Sequence, residues 1–179
     1  LGSAFLMKNP SPLATGILYW AIVVMLGVCL SIWVLMATAG SGGALRSGAT
    51  LTPTFLTIAK AFFLTAASFG ALSLYGYTTK ANLKPIGVFL TFALFGLIGI
   101  SLISLLFPPS GMMEIIIQVG VLAVSGILVA VDTQNLKQNY FVHEGDARSL
   151  AVMTNWGALN FFILFYNIFT MLMSLLSRD

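Results

Sequence analysis

Charge is what this chain has least of. Eight Lys or Arg and five Asp or Glu make up 7% of its 179 residues, against roughly a quarter in an ordinary soluble domain. So few charges cannot coat a water-facing surface. With 59% apolar residues and a mean hydropathy of +1.01, too much apolar area would be left in water, and a water-soluble globule is excluded. Cysteine is almost absent too. Cys29 stands alone in an apolar run, so there is no intramolecular disulfide and no cysteine metal cluster. The one histidine, His143, sits in Phe141-Val142-His143-Glu144-Gly145-Asp146, which reads as a solvated loop and leaves a zinc site short of ligands. No G-x-S-x-G, H-E-x-x-H or P-loop occurs, so no enzyme, catalytic residue, metal or cofactor is expected. The net charge of +3 is scattered singly, which is no nucleic-acid footprint and fits the charge asymmetry of a membrane topology.

Long apolar runs are what the chain does have. A helix needs about 20 mostly apolar residues to cross a hydrocarbon core of about 30 Å. That length picks out Leu13 to Ala39, Phe55 to Tyr77, Ile86 to Phe107, Met112 to Thr133 and Trp156 to Leu176. The breaks carry turn residues: Gly40-Ser41-Gly42-Gly43 with Pro53, Lys80 to Pro85, and Pro108-Pro109-Ser110-Gly111. The fourth break is the polar stretch Gln134 to Asn155, too small to fold alone. The expected fold is therefore all-α, a polytopic transmembrane helix bundle with five visible helices in one integral membrane domain over residues 1–179. The chain starts at Leu1 rather than Met, so a missing or processed N-terminus is expected.

Basic residues favour the cytoplasmic side of a membrane. Alternating spans put Lys8, Lys80, Lys84, Lys137 and Arg148 on one side and Arg46, Lys60 and Arg178 on the other, five against three. A cytoplasmic start follows. Small residues at helical spacing suggest close helix packing: Ala66 with Gly70, Ala67 with Ala71, Gly96 with Gly99, and Gly120 with Ser125 and Gly126.

The informative acid is Asp132, in Val131-Asp132-Thr133-Gln134-Asn135 at the end of the fourth apolar run. An ionisable group at membrane depth is costly and marks a functional candidate. Two readings stand. A helix starting at Met112 carries Asp132 about 30 Å along its axis, which suits an acid in the wet interface as well as a buried proton- or cation-sensitive one. Glu114, in the first turn of the same run, is read as complementing the helix dipole. In the last run Asn160 and Asn167 lie seven residues apart on one face with Leu164 between them, where amides usually bond neighbouring helices.

Three segments carry a resemblance. Phe69-Gly70-Ala71-Leu72-Ser73-Leu74-Tyr75-Gly76-Tyr77-Thr78-Thr79-Lys80, Asp132-Thr133-Gln134 followed by Lys137, and Gly157-Ala158-Leu159 resemble the Bax inhibitor-1 family, especially its bacterial YccA-like members. The resemblance implies a bundle of seven transmembrane helices with the last one central, of which five are visible here, and a start at Leu1 that remains cytoplasmic. It also implies a pH-sensitive ion leak, for calcium or protons, controlled by two aspartates from the last two helices. Two carboxylates in contact cannot both ionise cheaply, so protonation can switch their packing. Asp132 matches the first acid, with Thr133, Gln134, Asn160 and Asn167 as its polar surroundings, and the second falls at Leu164. The pair cannot form here. The alternative is a non-conducting accessory or regulatory subunit of a larger membrane complex, because bacterial relatives associate with the FtsH membrane protease. The expected location is a bacterial inner membrane, with the mitochondrial inner membrane as the alternative.

Overall fold

The structure, a computed structural model, describes residues 11–40, 52–104 and 111–176. Among them there are five helices and no strand: α1 (Pro12–Gly40), α2 (Thr52–Thr78), α3 (Lys84–Ser104), α4 (Gly111–Val142) and α5 (Ala147–Leu176). The expectations resting on Lys8, Arg46 and Arg178, and on the turns at 41–43 and 108–110, lie outside the described residues.

Helix starts follow from short polar side chains that take up otherwise unpaired N–H groups. Ser11 Oγ accepts from Ala14 N–H at 3.1 Å, with Pro12 in the first helical position, where its missing N–H costs nothing. Asn82 Oδ1 accepts from Lys84 N–H at 3.1 Å, just before Pro85. Asp146 Oδ1 accepts from Arg148 N–H at 3.1 Å and Ser149 N–H at 3.3 Å, and its other oxygen takes the Ser149 hydroxyl.

The largest departure from the sequence expectation is at 134–155, expected as a connecting stretch. α4 continues to Val142 and α5 begins at Ala147, leaving only 143–146 between them. Gly145 turns this link at φ 102°, a left-handed conformation that glycine adopts freely. Polarity misled the expectation. Gln134, Leu136, Lys137 and Gln138 are good helix formers, and a helix need not stop where hydrocarbon does. The 32 residues of α4 extend about 48 Å, well beyond a core of about 30 Å.

Among the described residues four stretches are long and apolar enough to cross a membrane: Pro12–Ser31, Leu56–Thr78, Gly111–Val142 and Ala147–Leu176. The remaining expected span corresponds to α3, 21 residues long, whose described apolar stretch Lys84–Leu97 is shorter. Large apolar side chains face outward, as lipid allows: Phe63, Phe89 and Phe92 are 72%, 71% and 68% exposed.

The chain divides into two compact units, Leu1–Leu56 with Gln138–Phe162, and Thr57–Lys137 with Ile163–Asp179. In the first, Asn155 Nδ2 on α5 donates to Pro12 O at 3.1 Å and Thr15 Oγ1 at 3.0 Å, tying down the first turn of α1. The core of the second joins Leu90 of α3, Leu128 and Val129 of α4, and Leu164 and Ile168 of α5, with Phe69 and Leu72 of α2 against it. In lipid such a core is held by van der Waals packing rather than by exclusion from water.

The expected small-residue faces are only partly used. A Cβ added at Gly70, Gly96 or Gly99 would meet nothing within 4 Å, and Ala66, Ala67 and Ala71 are exposed. Spacing shows that small residues share a face but not which face meets a neighbour. Gly126 does pack, since a Cβ there would lie 3.2 Å from Leu72 Cδ1, and Ser125 is completely buried.

Candidate functional site

The site is assembled around α4 where it passes α2 and α3. Two glycines set the spacing. A Cβ at Gly76 of α2 would lie 2.1 Å from the Ala130 carbonyl oxygen, and one at Gly87 of α3 would lie 2.5 Å from Val131 Cγ1. Neither position tolerates a side chain without movement, so the two helices hold consecutive residues of α4 immediately before Asp132.

The residues after Asp132 fix the α2–α3 linker. Thr133 Oγ1 donates to its own helix at Val129 O (2.8 Å) and lies 3.1 Å from Ser73 Oγ of α2. Gln134, 5% exposed, reaches three linker residues: Nε2 donates to Ala81 O at 2.7 Å and to Thr79 O at 3.4 Å, while Oε1 accepts the Leu83 N–H at 2.9 Å. Lys137 Nζ donates to Tyr77 O at 2.9 Å and sits 4.1 Å from the centre of the Tyr77 ring. That places a cation on a carbonyl in the last turn of α2, where the dipole favours it, and over an aromatic face. Thr133, Gln134 and Lys137 are thus committed to holding neighbouring backbone and side chains.

Asp132 is the exception. It is half-buried, and among the described residues none donates a hydrogen bond to its carboxylate. It is the 22nd of 32 residues in α4, inside the helix rather than at its end. Leu164, where the resemblance would place the second acid, is 4% exposed and clusters with Leu128 and Val129, one helical turn before Asp132. Asn160 is exposed and Asn167 half-buried, so the two amides do not share one environment. Sequence reasoning assigned helix bonding to them, whereas Asn155 makes the bond to α1.

A second polar group lies near the start of α4. Gln118 Nε2 donates to Glu114 Oε1 at 3.1 Å and to Ser174 Oγ of α5 at 2.9 Å. Glu114 occupies the first turn, as its dipole reading requires. In the 143–146 link, His143 Nδ1–H donates to Asn139 O at 3.0 Å. Hydrogen bonds from the Ser149 hydroxyl and N–H hold the Asp146 carboxyl below the ordinary carboxylate range, with smaller contributions from Arg148 N–H and the nearby His143. Among the described residues no three His, Cys, Asp or Glu side chains gather as a metal site.

A family model described as "Inhibitor of apoptosis-promoting Bax1" matches residues 1–179. The chain belongs to the Bax inhibitor-1 family. An uncharacterized protein of Caulobacter vibrioides is 41% identical over 172 residues, covering 96% of this chain and 62% of that protein. Inner membrane protein YbhL of Escherichia coli K12 is 37% identical over 133 residues, covering 71% of this chain and 56% of YbhL. A Rickettsia prowazekii protein, RP147, is 32% identical over 164 residues, covering 90% of this chain and 61% of its own length. The chain therefore spans about three fifths of the length of these relatives. No solved structure matches it significantly. Family membership and four helices of membrane-crossing length make this an integral membrane protein, of the kind found in bacterial inner membranes.

Proposed function

We propose that this member of the Bax inhibitor-1 family contributes to a pH-sensitive cation leak, for protons or calcium, in which Asp132 is the responsive acid. The observation that carries the reading is the division of labour on α4: Thr133, Gln134 and Lys137 are engaged with α2 and the α2–α3 linker, while Asp132 is held half-buried between them and the apolar core, with no hydrogen bond to its carboxylate from the described residues. A carboxylate held at membrane depth changes its interactions when it gains a proton, which suits a sensor. With Leu164 in place of a second acid, Asp132 supplies one negative charge, a poor match for a divalent cation and adequate for a proton.

Leu164 favours a second reading. Its burial with Leu128, Val129, Leu90 and Ile168 closes this part of the interior with apolar side chains, as suits a non-conducting accessory subunit of a membrane complex, such as an FtsH-type protease assembly. Flux of calcium and of protons through proteoliposomes carrying the full-length protein separates the two. The leak reading expects pH-dependent flux that Asp132→Asn abolishes. Absence of flux, with co-purification of a membrane protease, selects the accessory role. Calcium flux that survives Asp132→Asn refutes the sensor.

A further inference from the structure

One face of α4 carries more polar groups than its structural bonds use. Gln118, Ser125 and Asp132 follow one another at seven-residue intervals, which keeps them on one side of a helix with a drift of about 20° per step. They span about 21 Å of the helix axis, a large part of a bilayer core. Gln118 is 8% exposed and Ser125 fully buried, yet among the described residues Gln118 Oε1 and Ser125 Oγ have no hydrogen-bond partner. The Gln118 amide is not simply reversed, because its Nε2 already serves two acceptors, Glu114 and Ser174. Buried serines in helices ordinarily bond back to the preceding turn, and this one does not. Leaving two such atoms without a protein partner is costly unless water reaches them, and an arrangement that admitted water along this face would supply both.

What separates them is apolar. Between Ser125 and Asp132 the same face presents Leu128 and Val129, 6% and 0% exposed, which close against Leu164 and Ile168 of α5 and Leu90 of α3. Hydrophobic constrictions of this kind gate pores by excluding water. We propose that the α4 face bearing Gln118, Ser125 and Asp132 lines a water-filled path in an open form of the protein, and that the described conformation is that path closed by the cluster of Leu128, Val129 and Leu164. The inference rests on the leak reading and extends it: Gln118 and Ser125 become lining residues for water or a hydrated small cation, and the cluster becomes the gate.

The test is thiol labelling of the full-length protein in proteoliposomes, in a background without other cysteines, with the small cation methanethiosulfonate ethyltrimethylammonium. Ser125→Cys is compared with Phe92→Cys, at an exposed apolar position of α3 outside the buried cluster. Labelling of Ser125→Cys at least ten times faster than Phe92→Cys supports the path, and equal rates overturn it. Gln118→Cys, read in the same way, decides the matter if Ser125→Cys does not fold. Flux is measured on the same vesicles. Fast labelling without flux keeps the hydrated path and removes the leak, whereas flux without labelling keeps the leak and removes this path.

Discussion

Replacing Gln134 by Leu tests whether the α4 side chains hold the linker as the geometry requires. The substitution conserves approximate size and removes three hydrogen bonds, but they are not equal. The 3.4 Å contact to Thr79 O is marginal and counts for little. Ala81 is exposed, so its carbonyl can exchange Gln134 for water at small net cost. The Leu83 N–H is different: it belongs to a residue 8% exposed, and Gln134 Oε1 at 2.9 Å is its acceptor. Orphaning a buried donor costs about 1–3 kcal/mol, and the lost bond at Ala81 adds about 0.5–1.5 kcal/mol, for a total of about 1.5–4.5 kcal/mol. Lys137→Met, which removes a more exposed bond to Tyr77 O, should cost under about 1 kcal/mol. Hydrogen exchange at the Leu83 amide in detergent micelles or nanodiscs reads the effect locally. Since 1.4 kcal/mol corresponds to tenfold, Gln134→Leu should lower protection there by roughly tenfold or more, and Lys137→Met by less than about fivefold. A Leu83 amide that stays protected in Gln134→Leu, with thermal stability unchanged, would refute the reasoning.

Three further outcomes follow from the same contacts. Gly76→Ala should destabilise by about 1–3 kcal/mol in thermal or denaturant unfolding, because its Cβ meets backbone at Ala130 that cannot rotate away; Gly70→Ala, facing open space, should be neutral or stabilising by up to about 1 kcal/mol through helix propensity. Leu164→Asp should confer pH-dependent calcium flux on proteoliposomes where the native chain shows little, and a folded but silent variant would favour the accessory role. The start of α5 should lose exchange protection on acidification: the Asp146 carboxyl is held below its ordinary range, so its cap is fully present above the unfolded carboxylate value and disappears as pH falls through the lowered one, a dependence that Asp146→Asn should remove.

The positions of the apolar helices were legible because run length against bilayer thickness is a coarse and robust signal. α1 and α2 begin and end within three residues of the limits expected from it. The far part of α4 was not legible, since Gln134 to Val142 is as polar as a loop yet has no residue that stops a helix. Side-chain roles divide similarly. Asp132 stands out in any sequence reading as an acid closing an apolar run, and so does Glu114 in a first turn. Gly76 and Gly87 do not, because a glycine in a membrane helix reveals close approach only when the neighbouring backbone is known, and the pairs at better spacing, Ala66 with Gly70 and Ala67 with Ala71, face outward. Asp146 could have been read as a cap from Asp-Ala-Arg-Ser ahead of an apolar run, a signal hidden by treating the whole of 134–155 as one loop.

The grip of Gly76 on Ala130 and of Gly87 on Val131 has a bearing on how such a protein changes over time. Both contacts, and the bonds of Thr133, Gln134 and Lys137 that follow, are made without the side chain at position 132. The backbone there is a mount whose fastening is independent of what it carries. Substitutions at 132 are therefore free to alter charge while the helices stay in register, so descendants of one scaffold can gain, lose or exchange an acid there without first having to refold around it.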